Sequence, residues 1–136
     1  MRSPVALDSS VLVAILNREA EALAFSDILA GSSLIIGWPT VFETRLWVLR
    51  HAPVLENWLD ELIADESTTT VDFGRQQEQA ARDAYQRFGR GRHPAALNYG
   101  DCMAYSVAKS ADAPLLFKGA DFGKTDVAVH PASVIT

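Results

Sequence analysis

An α/β fold with a mainly parallel sheet, covered by helices on both faces, is what this sequence predicts. Short apolar or β-branched runs at residues 5–7, 34–36, 68–71 and 115–117 alternate with longer stretches of helical period. That alternation implies right-handed crossovers between parallel strands. Acidic residues follow several of these runs, on the edge beyond the strand carboxyl ends where such sheets place their ligand sites.

Val5-Ala6-Leu7 is the first strand and ends at Asp8; Ser9-Ser10 then lead into Val11, Leu12, Ile15 and Leu16 at helical spacing. Asp8 is a good helix cap, so cap and ligand are equally fair readings of it alone. A second helix is expected over about 18–30, with Ala22, Phe25, Ile28 and Leu29 on one side and Gly31 as its stop. Leu34-Ile35-Ile36 reads as a buried strand broken by Trp38-Pro39-Thr40. Val41, Phe42, Leu46 and Leu49 continue at a helical period, with Glu43 in the first turn. Thr40-Val41-Phe42-Glu43 also matches a capping box, which competes with any other role for Glu43.

Pro53 opens a helix through Leu55, Trp58, Leu59, Leu62 and Ile63, whose acids Glu56, Asp60 and Glu61 are expected in solvent. The β-branched run Thr68-Thr69-Thr70-Val71 is a short strand. The helix after it, over about 75–88, should turn Ala81, Ala84, Tyr85 and Phe88 inward. From Gly89 to Gly100 the chain is loop-like; Arg90, Arg92 and His93 there, with Arg82 and Arg87 before them, are the one basic concentration in the sequence.

Gly100 gives a flexible entry to the next helix, with Asp101 as its N-cap and Ala104, Val107, Ala108 and Ala111 at helical spacing. The partial positive charge of a helix N-terminus holds an acid there ionised and oriented. Pro114 then leads into the strand Leu115-Leu116-Phe117, a loop carrying Asp121 and Asp126, and a last strand, Val127-Ala128-Val129.

A chain of 136 residues fits one domain, 1–136, able to bury about two thirds of its unfolded surface. Hydrophobic residues make up 49% and charged ones 21%, with no run of 18 apolar residues and no signal-like leader, so a cytoplasmic protein without membrane contact is expected. The lone Cys102 excludes an internal disulfide and, beside Asp101, should pack rather than react. A net charge of −5 argues against a general nucleic-acid coat.

Asp8, Glu43, Asp101 and Asp121 all fall on one sheet edge in this reading. Ionised carboxylates converging to roughly 5 Å repel by about 3 kcal/mol per pair at an effective dielectric near 20. Either some of them protonate or a hard divalent cation sits among them. Oxygen ligation without His or Cys suits Mg²⁺ or Mn²⁺ rather than zinc. Carboxylate-held Mg²⁺ is suited to hydrolysing a phosphodiester, so a nuclease follows. Arg82, Arg87, Arg90, Arg92 and His93 are then candidates for holding an RNA phosphate, an exposed helix face being an equally good account of them.

Val5-Ala6-Leu7-Asp8-Ser9-Ser10, Glu43 after the second strand, Asn98-Tyr99-Gly100-Asp101-Cys102 and Leu115-Leu116-Phe117-Lys118-Gly119-Ala120-Asp121-Phe122 together resemble the PIN-domain family, and within it the VapC ribonuclease toxins of type II toxin-antitoxin systems. The resemblance spans essentially the whole chain. It implies a three-layer α/β/α fold, Mg²⁺-dependent endoribonuclease activity, a homodimer, and inhibition by a cognate VapB antitoxin. The acids it carries over are Asp8, Glu43, Asp101 and Asp121, with Asp126 as an auxiliary, and it leaves open which of the last two is the fourth acid. The rival functions are an inactive interaction module of the same fold and a phospho-accepting receiver domain, although Asp8 lacks the earlier acidic pair a receiver would carry. An Asp-nucleophile phosphatase is disfavoured by Ser10, which stands where its partner acid should be.

Overall fold

The structure, a computed structural model, describes residues 2–136. Strand β1 (Pro4–Leu7) runs between β2 (Ser33–Gly37) and β4 (Leu115–Leu116), with β3 (Thr68–Val71) outside β2. All three pairings are parallel, and β1 aligns Ala6 with both Ile35 and Leu115. Helices α1 (Ser9–Leu16) and α2 (Ala22–Gly31) connect β1 to β2. Next, α3 (Trp38–His51), a 3₁₀ turn at Pro53–Leu55 and α4 (Glu56–Ala64) connect β2 to β3, and α5 (Arg75–Phe88) with α6 (Tyr99–Ala111) return the chain to β4.

Alternation along the strands divides the core in two. Val5, Leu7, Leu34, Ile36 and Leu116 face Leu12, Phe25, Val41 and Leu59 from α1 to α4. Ala6 and Leu115 face the opposite way, onto Ala81, Ala84 and Phe88 of α5 and Met103, Tyr105 and Ala108 of α6. The result is the expected α/β/α sandwich. Leu7, Leu12, Leu34, Leu115 and Leu116 are at most 2% exposed; burying a side chain of this size contributes about 1.5–3 kcal/mol.

The order of connections fixes where a ligand can bind. The chain moves outward from β1 to β2 and β3, then reverses to reach β4 on the other side of β1. Helices therefore change faces between β1 and β4, and a crevice opens at the carboxyl ends of these two strands.

Several elements depart from the sequence expectation. α2 starts at Ala22, because Arg18 adopts a left-handed φ of 53° and turns the chain after α1; Gly31 is the helix's last residue rather than its stop. α3 begins at Trp38, since Pro39 sits in the first turn, where its missing N–H is not needed. A Cβ on Gly37 would lie 2.7 Å from Cγ2 of Val107, so that glycine lets α6 cross the end of β2 closely. Tyr85 is 43% exposed rather than inward. Glu56 and Asp60 are not simply solvated: the Arg45 guanidinium forks to them at 2.8 and 2.7 Å.

The expected last strand at 127–129 makes only one bridge, Val129 with Leu115, because the backbone leaves β4 after His130 N–H donates to the Leu115 carbonyl. Pairing passes instead to an unforeseen parallel ladder of β5 (Lys118–Gly119) and β6 (Val134–Ile135). Among the described residues no helix is long and apolar enough to cross a membrane.

Candidate active site

Asp8 stands at the mouth of the crevice. Its backbone is extended (φ −90°, ψ 153°), its N–H donates to the Leu116 carbonyl at 3.1 Å, and its carboxylate accepts the Ser10 N–H at 3.1 Å as the N-cap of α1. Cap and site residue are thus compatible roles, since one carboxylate oxygen suffices for the cap. Only 6% of the residue is exposed. Burial pushes its carboxyl up from 3.8 to about 6, against hydrogen bonds from Ser10 and Ser9, and the Glu43 carboxylate adds to the rise.

Asp101 is not the N-cap of α6. That place belongs to Asn98, whose side chain accepts the Asp101 N–H at 2.9 Å while Asp101 accepts the Asn98 N–H at 3.1 Å. This reciprocal pair starts the helix earlier than expected and puts Asp101 in its first turn, fixed at both ends. Burial again raises its carboxyl to about 6; the Asn98 N–H opposes the shift, Asp8 and Asp121 reinforce it, and Arg90 pulls the other way.

Glu43 is free of the capping box that Thr40 suggested, because α3 starts earlier and Gly37 is its N-cap. The Glu43 carboxylate lies instead against Gly100: a Cβ there would come within 2.5 Å of Oε2. Gly100 therefore provides room for an acid rather than the flexible entry expected of it. Burial raises the Glu43 carboxyl, the Ser9 hydroxyl offsets part of that, and Asp101 adds to it.

Asp121 opens the 3₁₀ turn Phe122–Lys124 after β5. Phe122, 4% exposed, packs on Phe117 with ring centroids 5.1 Å apart and anchors that turn. Asp126 is engaged elsewhere: its carboxylate accepts from Tyr105 Oη at 2.6 Å, Arg87 at 3.1 Å and Lys109 at 3.3 Å. Burial acts to raise the Asp126 carboxyl, but those three donors outweigh it and hold it below the usual range.

Four acids from four distant places on the chain thus act on one another electrostatically: Asp8 with Glu43, Glu43 with Asp101, and Asp101 with Asp8 and Asp121. Their side chains form no ready ligand cage, for among the described residues no three His, Cys, Asp or Glu are placed to hold one ion. The donor chemistry nevertheless fits a hard divalent cation. Every group is a carboxylate on a rotatable side chain, and an added positive charge relieves the burial and repulsion that raise the Asp8, Glu43 and Asp101 carboxyls.

Residues 5–128 match the model of the PIN domain. Among characterised relatives, ribonuclease VapC28 of Mycobacterium tuberculosis is 39% identical over 124 residues, 89% of this chain and 93% of that protein. A ribonuclease VapC of Mycolicibacterium smegmatis is 40% identical over 127 residues, 91% of this chain and 98% of that protein. The chain belongs to the PIN-domain VapC family. Solved structures agree on the fold. The VapC20 toxin of Mycobacterium tuberculosis, described as cleaving the sarcin-ricin loop, superimposes with a TM-score of 0.73 at 14% identity, covering 92% of this chain and 96% of that one. A toxin-antitoxin complex from Klebsiella pneumoniae gives 0.70 at 13% identity, covering 97% and 100%.

In this VapC-family chain the basic residues singled out by sequence do not act together. Arg82 is paired with Glu78 at 2.6 Å, and Arg87 with Asp83 and Asp126. Arg92 lies over the Tyr85 ring at 5.5 Å, and His93 accepts the Ala95 N–H while meeting Phe88 edge-on. Arg90 alone of the five acts on the acids, through Asp101. Sequence reasoning missed Ser10, whose hydroxyl accepts the Lys118 N–H at 3.0 Å and ties β5 to α1, and Asn98, which orients Asp101. The spacing Asn98-x-x-Asp101 was a legible signal for the second; the first joins residues 108 positions apart and left none.

Proposed function

We propose that this chain is a metal-dependent endoribonuclease, the toxin of a toxin-antitoxin pair. The observation that carries the reading is the group of acids that act on one another at the crevice between β1 and β4, with Asp8 buried, Asp101 and Asp121 half-buried and Glu43 more exposed. Asp8, Glu43, Asp101 and Asp121 would hold Mg²⁺, with Mn²⁺ as a substitute. A bound dication supplies a water of lowered pKa and positive charge for the oxygens of the phosphodiester.

The chain's own groups divide the remaining work. Asp8 and Asp101 are each fixed by a backbone hydrogen bond, so they give the site its frame. Glu43, with its protonation point raised and its carboxylate over Gly100, accepts the proton of the attacking water. Arg90 lies close enough to influence Asp101 and holds the phosphate from that side. The purified protein should cut RNA with Mg²⁺ or Mn²⁺ and stop with chelator; undiminished cleavage in EDTA would overturn the metal reading.

Two partners belong to the same proposal. A VapB-type antitoxin would place Arg or Lys among the acids, in competition with Mg²⁺, and its complex should lack RNase activity. A second copy of the chain would cover the ridge of Trp38, Phe42 and Leu49 on α3, which are 44%, 60% and 48% exposed. Light scattering should find a dimer that Phe42→Lys converts to monomer; a monomeric wild type would refute that assignment.

A further inference from the structure

Beside the acids, between α1 and α3, lies a cleft of about 290 Å³ lined by Ser9 and Val13 of α1 and by Glu43, Leu46, Trp47, Arg50 and His51 of α3. Glu43, Trp47, Arg50 and His51 stand at i, i+4, i+7 and i+8 of α3, so they form one stripe leading away from the site. At about 100° per residue Trp47 and His51 lie roughly 140° and 180° around the helix from Phe42, so a second copy on the Phe42 and Leu49 ridge leaves these two rings open, with Leu46 between ridge and cleft. Trp47 is about 6 Å along the helix axis from Glu43.

The lining has the chemistry of a nucleotide subsite. The Trp47 and His51 rings are stacked, with centroids 4.8 Å apart and planes 23° from parallel. His51 Nδ1 lies 3.1 Å from the Trp47 carbonyl. A carbonyl can only accept, so Nδ1 donates in this contact and Nε2 is turned away from it. Like Arg2, Arg18, Arg75, Arg90, Arg92 and Lys124, Arg50 forms no ion pair among the described residues, and it is the one of these that lines this cleft. A half-buried Trp47 stacked on an exposed His51, an unpaired guanidinium and Glu43 therefore share one wall.

We propose that this cleft seats an unpaired nucleobase next to the scissile phosphate, stacked on the Trp47 and His51 pair with an adjoining phosphate on Arg50. The proposal rests on the ribonuclease reading above. It makes α3 the element that selects single-stranded RNA, because a base held in a duplex cannot leave its own stack to enter the cleft.

The test maps cut sites in a randomised RNA pool with Mg²⁺, then measures steady-state cleavage of a short oligonucleotide carrying the preferred site. Base stacking on an aromatic side chain is worth about 1–3 kcal/mol, or about 5- to 150-fold. Trp47→Ala should raise KM by about tenfold or more with kcat within about threefold, Trp47→Phe should retain most of the affinity, and both should remain fully folded at the assay temperature. An abasic nucleotide next to the cut should weaken wild type as much as Trp47→Ala does and have no further effect in that variant. Arg50→Gln should lower the slope of log KM against log salt by about one contact. Wild-type cleavage with unchanged KM and unchanged abasic sensitivity in Trp47→Ala would overturn the subsite and leave the nuclease intact. No cleavage of any RNA by wild type would overturn both. Loss of antitoxin binding in Trp47→Ala with RNA handling unaltered would assign the cleft to the protein partner and refute the proposal.

Discussion

Replacing Asp8 by asparagine should abolish cleavage and yet make the metal-free protein more stable. The folded state holds the Asp8 carboxyl at about 6 instead of 3.8, mainly through burial. Between those values the folded chain binds a proton that the unfolded chain has already released, so stability falls as pH rises through this window and stays reduced above it. At about 1.4 kcal/mol per pH unit the full loss is about 3 kcal/mol. The substituted asparagine would be neutral at every pH and would still cap α1, because its amide oxygen can accept the Ser10 N–H. Its buried NH₂ group needs new partners, which lowers the net gain to about 1–2 kcal/mol. For a chain of this size the gain amounts to roughly 4–8 °C in melting temperature.

Calorimetry in EDTA should find that gain at pH 8 and find it lost or reversed at pH 4, where Asp8 is protonated in the folded state and only about 0.5 kcal/mol of its penalty remains against the unchanged cost of the buried NH₂. Saturating Mg²⁺ should reverse the order, because wild type alone would retain the full ligand set. A variant no more stable than wild type at pH 8, or one whose gain ignores pH, would refute the account of Asp8 as a destabilising buried carboxylate.

Gly100→Ala should cut cleavage at least tenfold by displacing Glu43 from the 2.5 Å approach, with melting unchanged or raised, since alanine favours a helix by up to about 1 kcal/mol. Retained activity would show that Glu43 does not need its present position. Among the acids, cleavage should fall most for Asp8→Asn and Asp101→Asn, clearly for Asp121→Asn and least for Asp126→Asn. The last should instead cost about 1 kcal/mol of stability, by weakening the half-exposed contacts to Arg87 and Lys109 and the bond from Tyr105. An inactive Asp126→Asn beside an active Asp121→Asn would invert the assignment. Cys102 is buried, and burial together with Asp101 pushes its thiol up to about 11, so Cys102→Ala should stay active and iodoacetamide should leave wild type unmodified at pH 8. Rapid alkylation in the folded state would contradict this.

Period and spacing made much of the molecule legible. Val5-Ala6-Leu7, Leu34-Ile35-Ile36 and the helix Arg75–Phe88 were readable because buried parallel strands are continuously apolar and helices repeat every 3.6 residues. The four acids were readable because each opens or follows such an element. What the sequence concealed depends on contacts between distant residues. Asn98, two residues before the glycine that drew attention, caps α6; Gly100 matters for Glu43, 57 positions earlier, and not for its own backbone freedom. The basic group dissolved for the same reason, since pairing of Arg82 within one turn of α5 and of Arg87 with Asp126 consumes charges that composition counts as free.

The central place of β1 has a consequence for synthesis. Asp8 is made long before Leu115 and Leu116, which flank its strand and of which Leu116 receives the Asp8 N–H on its carbonyl, and the loop carrying Asp121 follows still later. The crevice therefore cannot close on a growing chain until β4 and the Asp121 turn have been translated, however early β1, β2 and β3 associate. The first acid of the site thus waits for β4 through the synthesis of six α-helices and two strands.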